Sequence, residues 1–288
     1  MTKIKCISLI ILFSFCWMQS SFPLNGVPHS ARSLALSGGG TAIKSSTLTK
    51  NPASLDVIQP SLDIHTQYHP VGIGLAALSI KYPLKKMSLF GKIANIDFGS
   101  LKDGISSNSF SAGDLLLMGG IKTTVINAFS MGMNVNYGFS KIDDAISQSA
   151  TITCGFRTEL TESRLGFGVS FENMGLVYDA YGNTDDELSR RVRLAGYFLP
   201  RYLPAVIFSD IISESQINGI QLISGIELLP RINLTLRFSI SALIEGSPVI
   251  GGVAFGAQLQ QGNWKIDFAS RNLLTVGFIN GVSVGRIF

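Results

Sequence analysis

From Phe129 to Ser140 the chain alternates without a slip. Phe129, Met131, Met133, Val135, Tyr137 and Phe139 fall on one side, and Ser130, Gly132, Asn134, Asn136, Gly138 and Ser140 on the other. A period of two belongs to a β-strand, whose successive side chains point to opposite faces. The period recurs in Ile232–Ile244, where Leu234, Leu236, Phe238 and Ile240 oppose Asn233, Thr235, Arg237, Ser239 and Ser241. It recurs again in Arg164–Glu172 and in Thr275–Phe288. Such a chain folds into sheet, and each face of that sheet must meet its own solvent.

The second face decides which sheet. In a soluble sandwich the face away from the core meets water and carries Lys, Glu and Thr. Here it is mostly Gly, Ser, Asn and Ala with isolated charges. Charged residues are only 15% of the 288, against ~25% in ordinary soluble domains, while 46% are hydrophobic. That much apolar surface excludes disorder. A net charge of +4 without a basic run excludes a nucleic-acid partner. Beyond residue 20 no run approaches the ~18 apolar residues of a spanning helix. The pattern therefore predicts an all-β fold: a transmembrane, antiparallel, up-and-down barrel with a bulky lipid face and a crowded lumen.

Fourteen strands are expected, at 61–69, 73–83, 87–98, 113–124, 128–141, 149–158, 163–172, 190–198, 203–210, 217–228, 231–243, 249–260, 263–271 and 275–288. The 203–210 strand is the weakest, since both its faces are apolar. Even-numbered loops are short, and the odd ones include 99–112, 142–148 and 173–189, the parity of a barrel with both termini in the periplasm. Residues 22–60 do not alternate and are read as a short segment that plugs the lumen or lies at its periplasmic mouth. Residues 61–288 form the barrel. Residues 1–21 read as a signal peptide, with Lys3 and Lys5, an apolar run from Cys6 to Met18, then Gln19, Ser20 and Ser21. A lipoprotein anchored at Cys16 is the rival, but Phe15 stands where a lipobox wants a small residue. After cleavage only Cys154 remains, so no internal disulfide forms. The expected location is the outer membrane.

Three passages resemble one family. His29-Ser-Ala-Arg-Ser-Leu-Ala-Leu-Ser-Gly-Gly-Gly-Thr-Ala, followed by Asn51-Pro-Ala-Ser-Leu, resembles the "ARA-x-ALGG…NPA-x-L" opening of PorV/PorQ-type outer-membrane proteins. Arg32, Leu36, Gly38, Gly39, Asn51, Pro52 and Ala53 carry it. Phe98-Gly99 with Phe110-Ser-Ala-Gly-Asp114 resembles a second passage of that family, and Phe171-Glu-Asn173-Met-Gly175 a third. Ser46 and Thr47 depart from it, standing where acidic residues are usual, and Arg286 interrupts the aromatic pattern before Phe288. The family is similar to the FadL fatty-acid channels. The resemblance implies a non-enzymatic barrel, either a component of type IX protein secretion and surface attachment or a FadL-like channel for hydrophobic molecules. It implies as partners outer-membrane lipid, the barrel-assembly machinery, and either secretion-system and surface proteins or a hydrophobic ligand. Phe288 is the expected assembly signal.

Catalytic and metal readings are weak, and no cofactor is expected. Gly38–Ser45 echoes a phosphate loop, but Ile43 stands where Gly must precede the Lys, so a tight turn is preferred. His65 and His69 sit ~13 Å apart on a strand, too far to share one ion. Three histidines without a motif do not make a Ser-His hydrolase. Arg157, Arg164, Glu172, Arg193, Glu227, Arg237, Lys265, Asp267 and Arg271 fall mostly on the inward phase. Buried charges need partners, so these are expected either to pin the N-terminal segment or to form a polar constriction. Asp179, Asp185, Asp186 and Glu187 read as a solvated loop. Two substitutions probe the facing: Leu236→Arg should disrupt assembly, and Ser239→Asn should be tolerated.

Overall fold

The computed structural model describes residues 26–102, 109–126, 128–181, 188–229, 233–245, 247–274 and 277–288. The signal-peptide reading and Asp185, Asp186, Glu187 and Ile232 lie outside them. Fourteen strands follow one another: β1 Ser61–Tyr68, β2 Gly74–Pro83, β3 Met87–Lys102, β4 Ser109–Ile126, β5 Phe129–Ile142, β6 Ala145–Leu160 and β7 Leu165–Asp179, then β8 Arg191–Phe198, β9 Ala205–Glu214, β10 Ile220–Leu228, β11 Leu234–Glu245, β12 Ser247–Gln261, β13 Trp264–Leu273 and β14 Gly277–Ile287. Each pairs antiparallel with its neighbour in sequence, and β14 pairs with β1 from Ser61↔Ile287 to Tyr68↔Asn280, which closes the barrel. Closure removes both edges, a requirement wherever lipid cannot satisfy backbone groups.

The alternation becomes a division between inside and outside. On β5, Met131, Met133 and Val135 are exposed, while Ser130, Asn134, Asn136 and Ser140 are buried. On β11, Leu234, Leu236, Phe238 and Ile240 point out, and Arg237, Ser239 and Ser241 point in. The expected strand at 203–210 is β9. Apart from Asp210, its inner face is apolar because Phe208 and Ile212 pack with Ile223 against Leu36 and Ile43 of the N-terminal segment.

Several strands outrun their expected ends. β3, β4, β6 and β7 have 16, 18, 16 and 15 residues, against the ~9–11 that a bilayer requires. Loop 142–148 therefore shrinks to a turn at Asp143 and Asp144, and 173–189 to 180–190. The register breaks between Asp97 and Ser100 on β3, at Gly99, where φ is +73°. The chain enters and leaves the barrel at one end, called here the terminal end.

Candidate site in the lumen

The N-terminal segment runs inside the barrel. A single turn of helix, α1 (Ala31–Ala35), starts at Ser30, whose hydroxyl accepts from the Ser33 amide at 3.1 Å. Ala31, Arg32, Leu34 and Ala35 are almost wholly shielded. The amide of Ala31 donates to Ser283 Oγ at 2.9 Å, and Ser239 Oγ donates to the Ala35 carbonyl at 2.9 Å. Further on, Asn51 caps a 3₁₀ turn, Pro52–Ser54, by accepting from the Ala53 amide. Its Nδ2 donates to the Phe156 carbonyl on β6.

The small residues of the inner wall make room for this segment. A Cβ on Gly155 would fall 2.0 Å from Asn51 Oδ1, one on Gly132 would fall 2.6 Å from Pro52, and one on Gly256 would fall 2.6 Å from Ala35. No real Cβ approaches so closely, so these inward positions accept only glycine while the segment is seated.

Charged side chains fasten the same segment. Arg32 donates twice to Glu227, which also accepts from Arg237 Nε at 2.7 Å. Arg237 reaches Asp267 at 2.7 Å, and Lys265 lies 3.9 Å from Asp267 and 3.0 Å from Thr47 Oγ1. Asp63 pairs with Lys81, whose ammonium also donates to the Ser46 carbonyl at 2.6 Å. On β9, Asp210 accepts from the Gly40 and Thr41 amides and the Thr41 hydroxyl. Arg193 joins Glu172 at 2.7 Å to the Gly38 carbonyl at 3.1 Å. Arg157 donates to the Ala42 carbonyl at 2.6 Å and to Tyr197 and Glu159.

Two narrow cavities lie beside the segment. The larger, about 30 Å³, is bordered by Ser33, Lys50, Lys92, Asn134, Asn136 and Glu172. The other, about 10 Å³, includes His29, His65, Lys92 and Asp267 in its walls. Lys92 faces both and lies 3.4 Å from His29 Nδ1. Toward the far end, Leu75, Ala77, Ala94, Ile96 and Leu116 form an apolar inner surface joined by Val27, Phe98 and Met118. Leu116 and Met118 also border the larger cavity. The space is thus amphipathic, with charged groups at mid-height and hydrocarbon beside them. Burial pulls the Lys50 ammonium down to about 7; Glu172 opposes this, while Arg191, Lys92 and Arg193 add to it.

Residues singled out in the sequence divide as follows. Arg32, Leu36, Gly38, Gly39, Asn51, Pro52 and Ala53 all lie in the enclosed segment. Asp114 points inward from β4 and accepts from Ser140. Arg157, Glu172, Arg193, Glu227, Arg237, Lys265 and Asp267 are buried on the inner wall, and Arg271, mostly shielded, reaches Ser241 Oγ at 3.4 Å. Arg164 does not belong with them. It sits exposed in the β6–β7 turn with φ +55°, because strand β7 starts one residue later and the alternation cannot place a turn residue. Ser239, expected to tolerate Asn, is fully buried and hydrogen-bonded to the Ala35 carbonyl and the Ser37 hydroxyl. Asp179 is exposed at the far end. His65 and His69 are joined through Gln67, and among the described residues no His, Cys, Asp and Glu cluster could hold a metal. Asp63, Lys81, Lys92 and Asp210 were missed; the available signal was a lone charge on the inward phase of a strand.

No protein-family model and no curated protein matches the chain. Solved structures do. The barrel has the fold of the FadL-like hydrocarbon channels. The CymD monoaromatic hydrocarbon channel aligns with a TM-score of 0.69 at 11% identity, over 91% of this chain and 98% of that one. The Pseudomonas putida toluene transporter TodX aligns at 0.65 and 14% identity, over 90% and 98%. A Pseudomonas aeruginosa FadL homologue aligns at 0.61 and 10%, over 91% and 99%. At these identities the likeness establishes the fold.

Proposed function

We propose that this protein is a non-enzymatic outer-membrane channel that passes small hydrophobic molecules, with residues 26–60 as its plug. The observation that carries the reading is the likeness, over nearly the full length of both chains, to channels named for hydrocarbons and toluene. The apolar inner surface around Leu75, Ile96 and Leu116 supports it, since it offers hydrocarbon contact within an otherwise polar lumen. In the seated state the segment fills the lumen, so passage requires the plug to shift. Ser37 and Ser239 hydroxyls lie 2.9 Å apart, one on the plug and one on the wall. A Ser37→Cys, Ser239→Cys pair would lock them together. Uptake of radiolabelled toluene into cells making the protein should fall on oxidation of that pair and recover on reduction. Equal uptake in the locked and free forms would sink the reading.

A second reading keeps the barrel as a scaffold of PorV/PorQ type for protein secretion and surface attachment. The ion-paired, filled lumen favours it, together with the opening motif from Arg32 to Ala53. Stoichiometric co-purification of a secretion-system or surface protein from native membranes, without effect of the locked pair on solute uptake, is the result it requires.

A further inference from the structure

Arg286 stands on the lipid-facing side of β14, in phase with Phe278, Val282 and Val284, which are all exposed. It lies opposite Trp264, the first residue of β13, at the terminal end of the barrel. Its guanidinium carbon is 5.3 Å from the centre of the Trp264 ring and 5.2 Å from that of Phe288. Two aromatic rings therefore flank the cation. Among the described residues no carboxylate pairs with it. An arginine at the bilayer midplane would cost ~2–4 kcal/mol, but near the interface only ~0–1.

The surroundings give that interface a sign. Tyr82, Trp264, Tyr202 and Phe288 are exposed at the terminal end, and such aromatic residues mark headgroup depth. Lys85, Lys86, Arg164 and Arg201 are exposed in the turns of that end, against Glu162. The far end instead exposes Asp97, Asp143, Asp144, Asp179 and Glu245 against Lys141 and Arg190. A guanidinium flanked by aromatic rings and without a carboxylate partner, at headgroup depth and on a positive rim, suits an oxyanion carrying two acceptor oxygens.

We propose that Arg286, held between Trp264 and Phe288, binds the phosphodiester of a membrane phospholipid in the leaflet at the terminal end. The site is independent of what passes through the lumen and rests on the barrel being in a membrane. It also gives a reason for an arginine where the alternation calls for an apolar residue.

The test uses the folded protein in detergent. In a chain starting after residue 21, Trp264 is the sole tryptophan, so its emission reports on the site. Dioleoylphosphatidylglycerol and dioleoylphosphatidylethanolamine should each shift that emission saturably, while dioleoylglycerol, with the same tails and no phosphate, should not. Inorganic phosphate at matched concentration should also leave it unchanged. Arg286→Met should weaken the phospholipid response at least tenfold, with Arg286→Lys in between. Heat-modifiable migration on gels verifies that each variant is folded; if Arg286→Met does not fold, the lipid comparison on the wild type decides alone. A response to dioleoylglycerol equal to that of the phospholipids overturns the proposal, as does an unchanged response in a folded Arg286→Met. A full response to inorganic phosphate makes this a simple anion site and overturns the lipid assignment. None of these outcomes touches the barrel or the channel reading.

Discussion

Arg32 and Glu227, 195 positions apart, meet in a two-pronged pair, with Nε and Nη2 each 2.9 Å from one carboxylate oxygen. Both side chains are about 5–6% exposed. The same carboxylate also accepts from Arg237. One acidic group thus faces two guanidiniums, one from the N-terminal segment and one from the wall. Glu227→Gln removes that charge and leaves the two cations confronting each other. Breaking a buried pair costs ~3–5 kcal/mol. The barrel should still form, because its strands pair without this group, and the loss should fall on the segment. Limited proteolysis of folded protein should cleave within residues 26–60 in Glu227→Gln and spare them in the wild type.

The glycine seats make a paired prediction. Gly155→Ala drives a Cβ into Asn51, whereas Gly119, exposed on β4, has nothing within 4 Å of such a Cβ. Gly155→Ala should release the 3₁₀ turn and raise proteolysis of the segment as Glu227→Gln does. Gly119→Ala should behave as wild type in the same assay.

The lipid face can be probed at Ile240, the seventh of the twelve residues of β11, exposed and outward. Ile240→Arg should impair assembly by ~2–4 kcal/mol, the cost of a cation at the bilayer midplane, whereas Leu236→Arg, only the third residue of β11, should cost less because the penalty falls toward the interface. The fraction of heat-modifiable protein recovered in lipid vesicles across a urea series measures it.

The Lys50 amine gives the plug a pH dependence. Burial pulls it down to about 7, below the ordinary 10.5 of an exposed lysine. The unfolded or released segment therefore binds more protons between those two values, and seating gains stability as pH rises from 7 to 10.5. Below about 7 the amine is charged in both states, and the burial penalty is fully present. Proteolysis of the segment should slow on going from pH 7 to pH 9. Lys50→Met should remove that slope, and retention of the full slope in the variant would assign it to another group.

Phe288 continues the last ladder, since its amide donates to the Pro60 carbonyl at 2.9 Å and its ring is exposed. If it is the assembly signal, deleting it should lower the outer-membrane pool sharply and leave a periplasmic pool of exported chain. Fractionation of tagged wild type and variant distinguishes this from an export defect.

The alternation was enough to locate all fourteen strands and to tell lipid face from lumen face, because a two-residue period is a local property written into neighbouring side chains. The inward phase likewise exposed Arg157, Glu172, Arg237, Lys265 and Asp267 as lumen charges. It failed at Arg164, where a turn interrupts the phase, and at the ends of β3, β4, β6 and β7, which continue past the span that hydrophobicity marks. What the lumen face was for stayed hidden: glycines and serines read equally well as the lining of an open pore.

Only the closed structure decided that those positions are seats. Gly132, Gly155 and Gly256 gain their meaning from Pro52, Asn51 and Ala35, residues far away in sequence that barrel closure brings against them. The same holds for Arg32 with Glu227 and for Asp210 with Gly40 and Thr41. Local patterning determines which way each side chain points. Which partner it meets there depends on closure of the whole ring, and that is a tertiary property.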